Sequence, residues 1–167
     1  MYSGMMNKRT KALFFDIDGT LLSEKTRRVP ESAVKALSQA RERGHLVFIN
    51  TGRVFAHLTE IRSQVEADGF LCGCGTCVVA EGRVLYHYHI PHERGLAIKR
   101  DIDACGLDGA LEGMEGVYVH RTPSRLPQVV QLKADLQKSD SVSPYSWEDD
   151  CYDFDKFYIG SDEKSQC

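Results

Sequence analysis

The stretch that decides the reading is Ala12-Leu13-Phe14-Phe15-Asp16-Ile17-Asp18-Gly19-Thr20-Leu21. Its first four residues form a short apolar run, the mark of a strand buried on both faces of a parallel sheet. Asp16 and Asp18 follow at once, at the carboxyl end of that strand, where open parallel sheets bind their ligands. Gly19 then permits a sharp turn. Two carboxylates delivered to one place are costly unless a cation neutralises them. A hard divalent ion with oxygen ligands is the natural partner.

Working outward, Pro30 opens a helical segment and Gly44 closes it, with Ala33, Leu37 and Ala40 on one face. Leu46-Val47-Phe48-Ile49 reads as a second buried strand. Thr51-Gly52-Arg53 comes directly after it, ahead of a second amphipathic helix marked by Phe55, Leu58, Ile61 and Val65. A hydroxyl and successive N–H groups at a helix N-terminus make an anion site. Phe70-Leu71-Cys72 is a third strand, so strand and helix alternate and predict a parallel sheet with right-handed crossovers. After Gly75 the pattern changes. Val78-Val79-Ala80, Glu81-Gly82 and Val84 to Ile90 read as a hairpin. Helices are expected over 93–105 and around Val129, Leu132 and Leu136, with strands at Tyr118-Val119 and Phe154 to Ile159. This gives an α/β unit over residues 1–90 and the beginning of an α+β unit over residues 91–167.

The Asp16 motif resembles motif I of the haloacid dehalogenase superfamily, and Thr51 resembles its motif II. The Thr-Gly-Arg form is similar to the Cof-type branch, whose cap is inserted after the third strand; the segment from Pro91 sits where that cap would. The resemblance implies a Rossmann-like, three-layer core with a parallel sheet, present here in part, and an incomplete α+β cap. It implies a phosphomonoester hydrolase of small phosphorylated metabolites that depends on Mg²⁺. Asp16 would attack phosphorus and form an aspartyl-phosphate. Asp18 would protonate the leaving oxygen and then deprotonate water. Mg²⁺ would be held by Asp16 and by Asp18 through its backbone carbonyl. Thr51, Gly52 and Arg53 would bind the phosphoryl group, with a structural ion pair an equal reading for Arg53.

Two further parts of the family pattern, a Lys after the cap and an acidic Gly-Asp-type loop, have no clear counterpart. Gly160-Ser-Asp162-Glu163 is a superficial match to the loop, and Lys156 and Lys164 are poor candidates for the Lys. The chain is therefore expected to stop inside the cap, with at least two core βα units of roughly 30 residues each missing. Such a remnant would expose a sheet edge and invite self-association. The competing reading is a catalytically silent phosphate-binding or interaction protein that keeps half of the fold. A phosphoreceiver is set aside, because its acceptor belongs at the end of the third strand, which here is Cys72-Gly-Cys74.

The composition narrows the partners. Of 167 residues, 42% are hydrophobic and 27% charged, which is globular. With a net charge of −3 and dispersed Lys and Arg, no nucleic-acid footprint is present. No apolar run reaches the length of a membrane span, and Met1 to Lys11 has no signal-peptide character. The expected location is the cytoplasm, with the six cysteines reduced. Cys72, Cys74 and Cys77 do not match zinc spacings and read as packing residues. His57 reads as a packing or surface residue, His87 and His89 share one strand face, and Tyr118 and Trp147 read as core.

Overall fold

The computed structural model describes residues 9–23, 25–138 and 141–165. The Met1–Lys8 segment and Cys167, both of which figured in the sequence reading, lie outside the described residues. The fold is α/β, built on two sheets. The first has five strands in the order β1-β2-β3-β4-β5: β1 (Ala12–Phe15), β2 (Leu46–Asn50), β3 (Gly69–Cys72), β4 (Cys77–Ala80) and β5 (Arg83–His87). The β1, β2 and β3 strands run parallel; β4 and β5 continue the sheet antiparallel. The expected hairpin is thus part of the same sheet. Its turn, Glu81 and Gly82, has two positive φ angles (51° and 70°), the primed geometry that matches strand twist.

Helix α1 (Glu31–Glu42) crosses from β1 to β2 and buries Leu37. Gly44 lies just past it at φ 84°, with its N–H donating to the Arg41 carbonyl. The second expected helix is shorter than its periodicity predicts. A 3-10 turn over Phe55–Leu58 runs into α2 (Thr59–Gln64), and Leu58 and Ile61 are buried beneath them. Asp68 then ties β2 to β3: its Oδ2 accepts from Val47 N at 2.8 Å, and Arg41 donates to the same carboxylate at 3.0–3.3 Å.

The expectation that β1 is buried on both faces is corrected. Its residues alternate between exposed and half-buried, and Phe14 is 55% exposed, stacked on Phe48 at 5.1 Å. The physical reason is position: β1 is the outermost strand of the sheet, so one side of it has no neighbour.

The second sheet is antiparallel, ordered β7-β6-β8, with β6 (Asp108–Glu112), β7 (Val117–Val119) and β8 (Lys156–Gly160). Helices α3 (His92–Ala104) and α4 (Pro127–Lys138) accompany it. Strand β6 has no counterpart in the sequence reading, since Asp-Gly-Ala-Leu-Glu lacks β-branched and aromatic residues. It is nevertheless the central strand. Gly109 is what allows this: a Cβ there would fall 1.8 Å from the Tyr158 carbonyl oxygen of β8.

The two sheets share apolar packing. Val54, from the loop after β2, clusters with Ala110, Val117 and Leu136 of the second unit. Trp147, Tyr118 and Phe154 are buried around Leu111, as expected for Tyr118 and Trp147. Among the described residues no helix is long and apolar enough to cross a membrane.

Candidate active site

Alternation along the chain sets the first half of the site. Ile17 is fully buried and anchors the segment, so Asp16 and Asp18 project to the opposite, exposed side. The chain then turns sharply. The Leu21 N–H donates to the Asp16 carbonyl at 3.3 Å and Leu22 N–H to Ile17 O at 2.8 Å, with Gly19 at φ 77°. That positive φ is why a residue without a Cβ stands there. The Asp16 carboxylate has no hydrogen-bond partner among the described residues.

The second half comes from the neighbouring strand. Phe15 of β1 is in register with Ile49 of β2, so the residues after each strand emerge side by side. Thr51 is buried, with its N–H donating to Leu71 O at 2.9 Å. Its Oγ1 accepts the Arg53 N–H at 3.2 Å, which leaves the hydroxyl proton available to an outside acceptor. The Gly52 N–H has no acceptor among the described residues. One feature differs from expectation. No helix begins at Arg53; the next helical residue is Phe55, in a 3-10 turn, and the α-helix starts only at Thr59. The donors this loop could offer an anion are thus the Thr51 hydroxyl and the Gly52 N–H, with little help from a helix terminus.

Arg53 forms an ion pair with Asp18. Its Nε donates to Asp18 Oδ2 at 2.9 Å and its Nη2 to Asp18 Oδ1 at 2.6 Å, a bidentate fork. This bond, more than any other influence, holds the Asp18 carboxyl below the usual carboxylate range. Asp18 is therefore ionised and occupied in this state. His57 lies half-buried close by. Burial is the main reason its pKa falls to about 4, with the Arg53 charge next; its imidazole is neutral at physiological pH.

A residue that the sequence offered only as a poor candidate for the family's Lys also reaches this loop. Lys156, the first residue of β8, donates from Nζ to the Gly52 carbonyl at 3.0 Å and pairs with Glu112 Oε2 at 3.0 Å. The sequence carried no signal for this, because the Glu112–Lys156 pairing exists only through the β6–β8 register. The remaining candidates lie elsewhere. Asp162, in the superficial acidic-loop match, is engaged by Arg125 at 3.0 Å. His87 and His89 do share a face, but they meet Asp155 at 2.9 Å and Asp153 at 3.7 Å. Cys72 and Cys77 face each other across β3 and β4 and are buried; burial pushes the Cys72 thiol up to about 12. Cys72, Cys74, Cys77 and Cys151 are free thiols, whereas Cys105 is disulfide-bonded, against the expectation that all six are reduced.

Comparisons with known proteins give the family. The family model of the haloacid dehalogenase-like hydrolases matches residues 13–166, which is most of the chain. The chain belongs to that family. It is 34% identical over 135 residues to the Bacillus subtilis (strain 168) protein named "Putative phosphatase YkrA", an overlap of 80% of this chain and 52% of that one. It is 32% identical over 80 residues to the pyridoxal phosphate phosphatase YbhA of Escherichia coli (strain K12), covering 48% of this chain and 27% of that one. The fold superposes on the solved structure of the HAD subclass IIB sugar phosphatase BT4131 with a TM-score of 0.67 and 29% identity, covering 84% of this chain and 54% of that one. The chain thus spans about half the length of the first of these relatives and of the solved structure.

Family membership implies a divalent metal, and the residues present fit part of its shell. Among the described residues no group of three or more His, Cys, Asp or Glu converges to hold an ion, at the Cys72–Cys77 turn or elsewhere. Mg²⁺ does not require such a cage: one or two carboxylates, waters and substrate phosphate complete its octahedron. The exposed Asp16 carboxylate with the Asp18 backbone carbonyl is a donor set of that chemistry.

Proposed function

We propose that this haloacid dehalogenase-like chain carries the nucleophile-bearing half of a phosphomonoester hydrolase. The observation that supports this best is the juxtaposition of the Asp16 carboxylate, without a hydrogen-bond partner among the described residues, with the Thr51 hydroxyl and Gly52 N–H. They stand at the ends of adjacent parallel strands. The phosphoryl oxygens accept from Thr51 and Gly52. An Asp16 carboxylate oxygen attacks phosphorus, the bond to the leaving oxygen breaks, and an aspartyl-phosphate forms. Asp18 gives its proton to the leaving oxygen. Water then attacks phosphorus, Asp18 takes back a proton, and Asp16 is regenerated with release of inorganic phosphate. Mg²⁺, when bound by Asp16 and the Asp18 carbonyl, supplies charge neutralisation between two anions.

The Asp18–Arg53 fork gives this scheme a condition. Asp18 held by Arg53 is the ionised form and cannot act as an acid. Arg53 must transfer its donors to the incoming phosphate, which releases Asp18 and lets its pKa return upward. Bidentate recognition of phosphate by a guanidinium makes that exchange favourable. Small phosphorylated metabolites, sugar phosphates or pyridoxal phosphate, are the substrate class that the relatives' names support. The test is Mg²⁺-dependent phosphate release from p-nitrophenyl phosphate, with Asp16→Asn as control. Release that requires both the metal and Asp16 is the expected outcome. A folded chain that binds phosphate but never turns over favours the silent phosphate-binding reading.

A further inference from the structure

Among the described residues, the second sheet makes one side-chain hydrogen bond to the loop that offers Thr51 and Gly52, from Lys156, 104 residues beyond Gly52 along the chain. We propose that Lys156 is a direct ligand of the substrate phosphate, so that the anion site is assembled from both sheets. This inference rests on the reading of Thr51 and Gly52 as the phosphate site.

Three observations carry it. The first is place. The Lys156 ammonium is one hydrogen bond, 3.0 Å, from the carbonyl of Gly52, the residue whose N–H is offered to an anion. The second is donor capacity. An ammonium has three protons. One is donated to Gly52 O, the Glu112 carboxylate is an ion-pair partner at 3.0 Å, and no other acceptor stands by among the described residues. The side chain is 27% exposed, so an anion can reach it. The third is charge. Arg53 spends its fork on Asp18, which leaves the loop short of a cation in this state. Lys156 supplies one that does not have to be withdrawn from the acid–base carboxylate. Its field extends across the site, where it adds to the effect of burial and Arg53 in keeping His57 neutral.

Glu112 explains why the ammonium is held there. Its carboxylate is mostly buried and lies opposite Lys156 in the β6–β8 register. A lysine tethered by a neighbouring strand arrives preorganised and loses less side-chain freedom on meeting a ligand. The alternative is a purely structural role, in which Lys156 only neutralises Glu112 and latches the two sheets. The two roles differ in what they do to anion affinity.

The experiment is titration of the 167-residue chain with inorganic phosphate, followed by calorimetry, alongside Lys156→Met, Lys156→Arg, Glu112→Gln and Thr51→Val. Lys156→Met is expected to weaken phosphate binding about 10-fold or more, the effect of losing one charge-assisted hydrogen bond. Lys156→Arg is expected to stay within about 3-fold of the parent. Glu112→Gln releases the lysine from its counter-charge and is expected to tighten binding, which keeps the inference testable if Lys156→Met does not fold. A folded Lys156→Met chain with parental phosphate affinity, or a Glu112→Gln chain with unchanged affinity, overturns the inference. Thr51→Val separates the two failures. If it weakens phosphate binding while Lys156→Met does not, Lys156 alone is misassigned. If Thr51→Val has no effect, the loop is not the phosphate site and both readings fall.

Discussion

Strands β1 and β6 differ by one residue in length and exchange the environments that their compositions predict. Ala-Leu-Phe-Phe in β1 is wholly apolar, yet alternates between exposed and half-buried residues. Asp-Gly-Ala-Leu-Glu in β6 begins and ends on a carboxylate, yet four of its five residues are buried. The difference is neighbours. Strand β6 has a partner on each side, β7 and β8, whereas β1 has only β2. Composition reports what a strand tolerates; its place in the sheet decides what it experiences. An edge with one unpaired side also leaves its carboxyl end open to solvent, which suits a strand that presents Asp16.

The largest effect expected from this contrast is chemical. Asp16→Asn, just past β1, should reduce phosphate release by about 10³-fold or more. It should leave the unfolding midpoint nearly unchanged, because the carboxylate is exposed and has no hydrogen-bond partner among the described residues. A large fall in stability would mean that Asp16 is structural and would remove the distinction between the two strands. Next comes Gly109→Ala in β6. The added carbon meets a backbone carbonyl that cannot swing away, so a loss of about 3 kcal/mol or more in denaturant unfolding is expected. Full stability in this variant would show that β6 and β8 can separate at little cost.

A smaller effect comes from His57. Its pKa in the folded chain is about 4 against an ordinary 6.5, so the unfolded chain takes up the proton first as pH falls. The associated stability is complete above about 6.5 and is lost as pH drops toward 4. Allowing for partial exposure, the loss should be about 1–2 kcal/mol. Urea titrations at pH 7 and pH 4.5 on the parent and on His57→Gln measure it; an equal pH slope in both would assign the dependence to other groups. The smallest effect is Phe14→Ser on β1. At 55% exposure, with one stacking contact to Phe48, it should cost at most about 1 kcal/mol. A cost near that of Gly109→Ala would mean that the outer face of β1 is covered in solution, as self-association through this edge would do.

Much of the first sheet was legible because its signals are local. The β1 run, the Asp16–Asp18 pair, the Pro30-to-Gly44 helix and the Glu81-Gly82 turn each occupy consecutive residues. Each acts through backbone geometry or side-chain alternation that a short segment determines by itself. The Thr51-Gly52-Arg53 loop was legible for the same reason, and its adjacency to Asp16 followed from strand order.

What the tertiary structure alone decided has a common cause: contacts between residues far apart in sequence. Strand β6 is a strand because Gly109 lets Tyr158 approach, a close contact that propensity cannot register. The exposure of β1 follows from its place at the sheet edge. That Arg53 grips Asp18, 35 residues away, is a contact no local segment announces. Lys156 looked like an isolated surface lysine until the β6–β8 register set it opposite Glu112 and against Gly52. The sequence by itself determined which groups stand ready at the ends of β1 and β2. The packing of the second sheet against the loop after β2 determined which charges surround them, because Coulombic partners are chosen by distance in space and not along the chain.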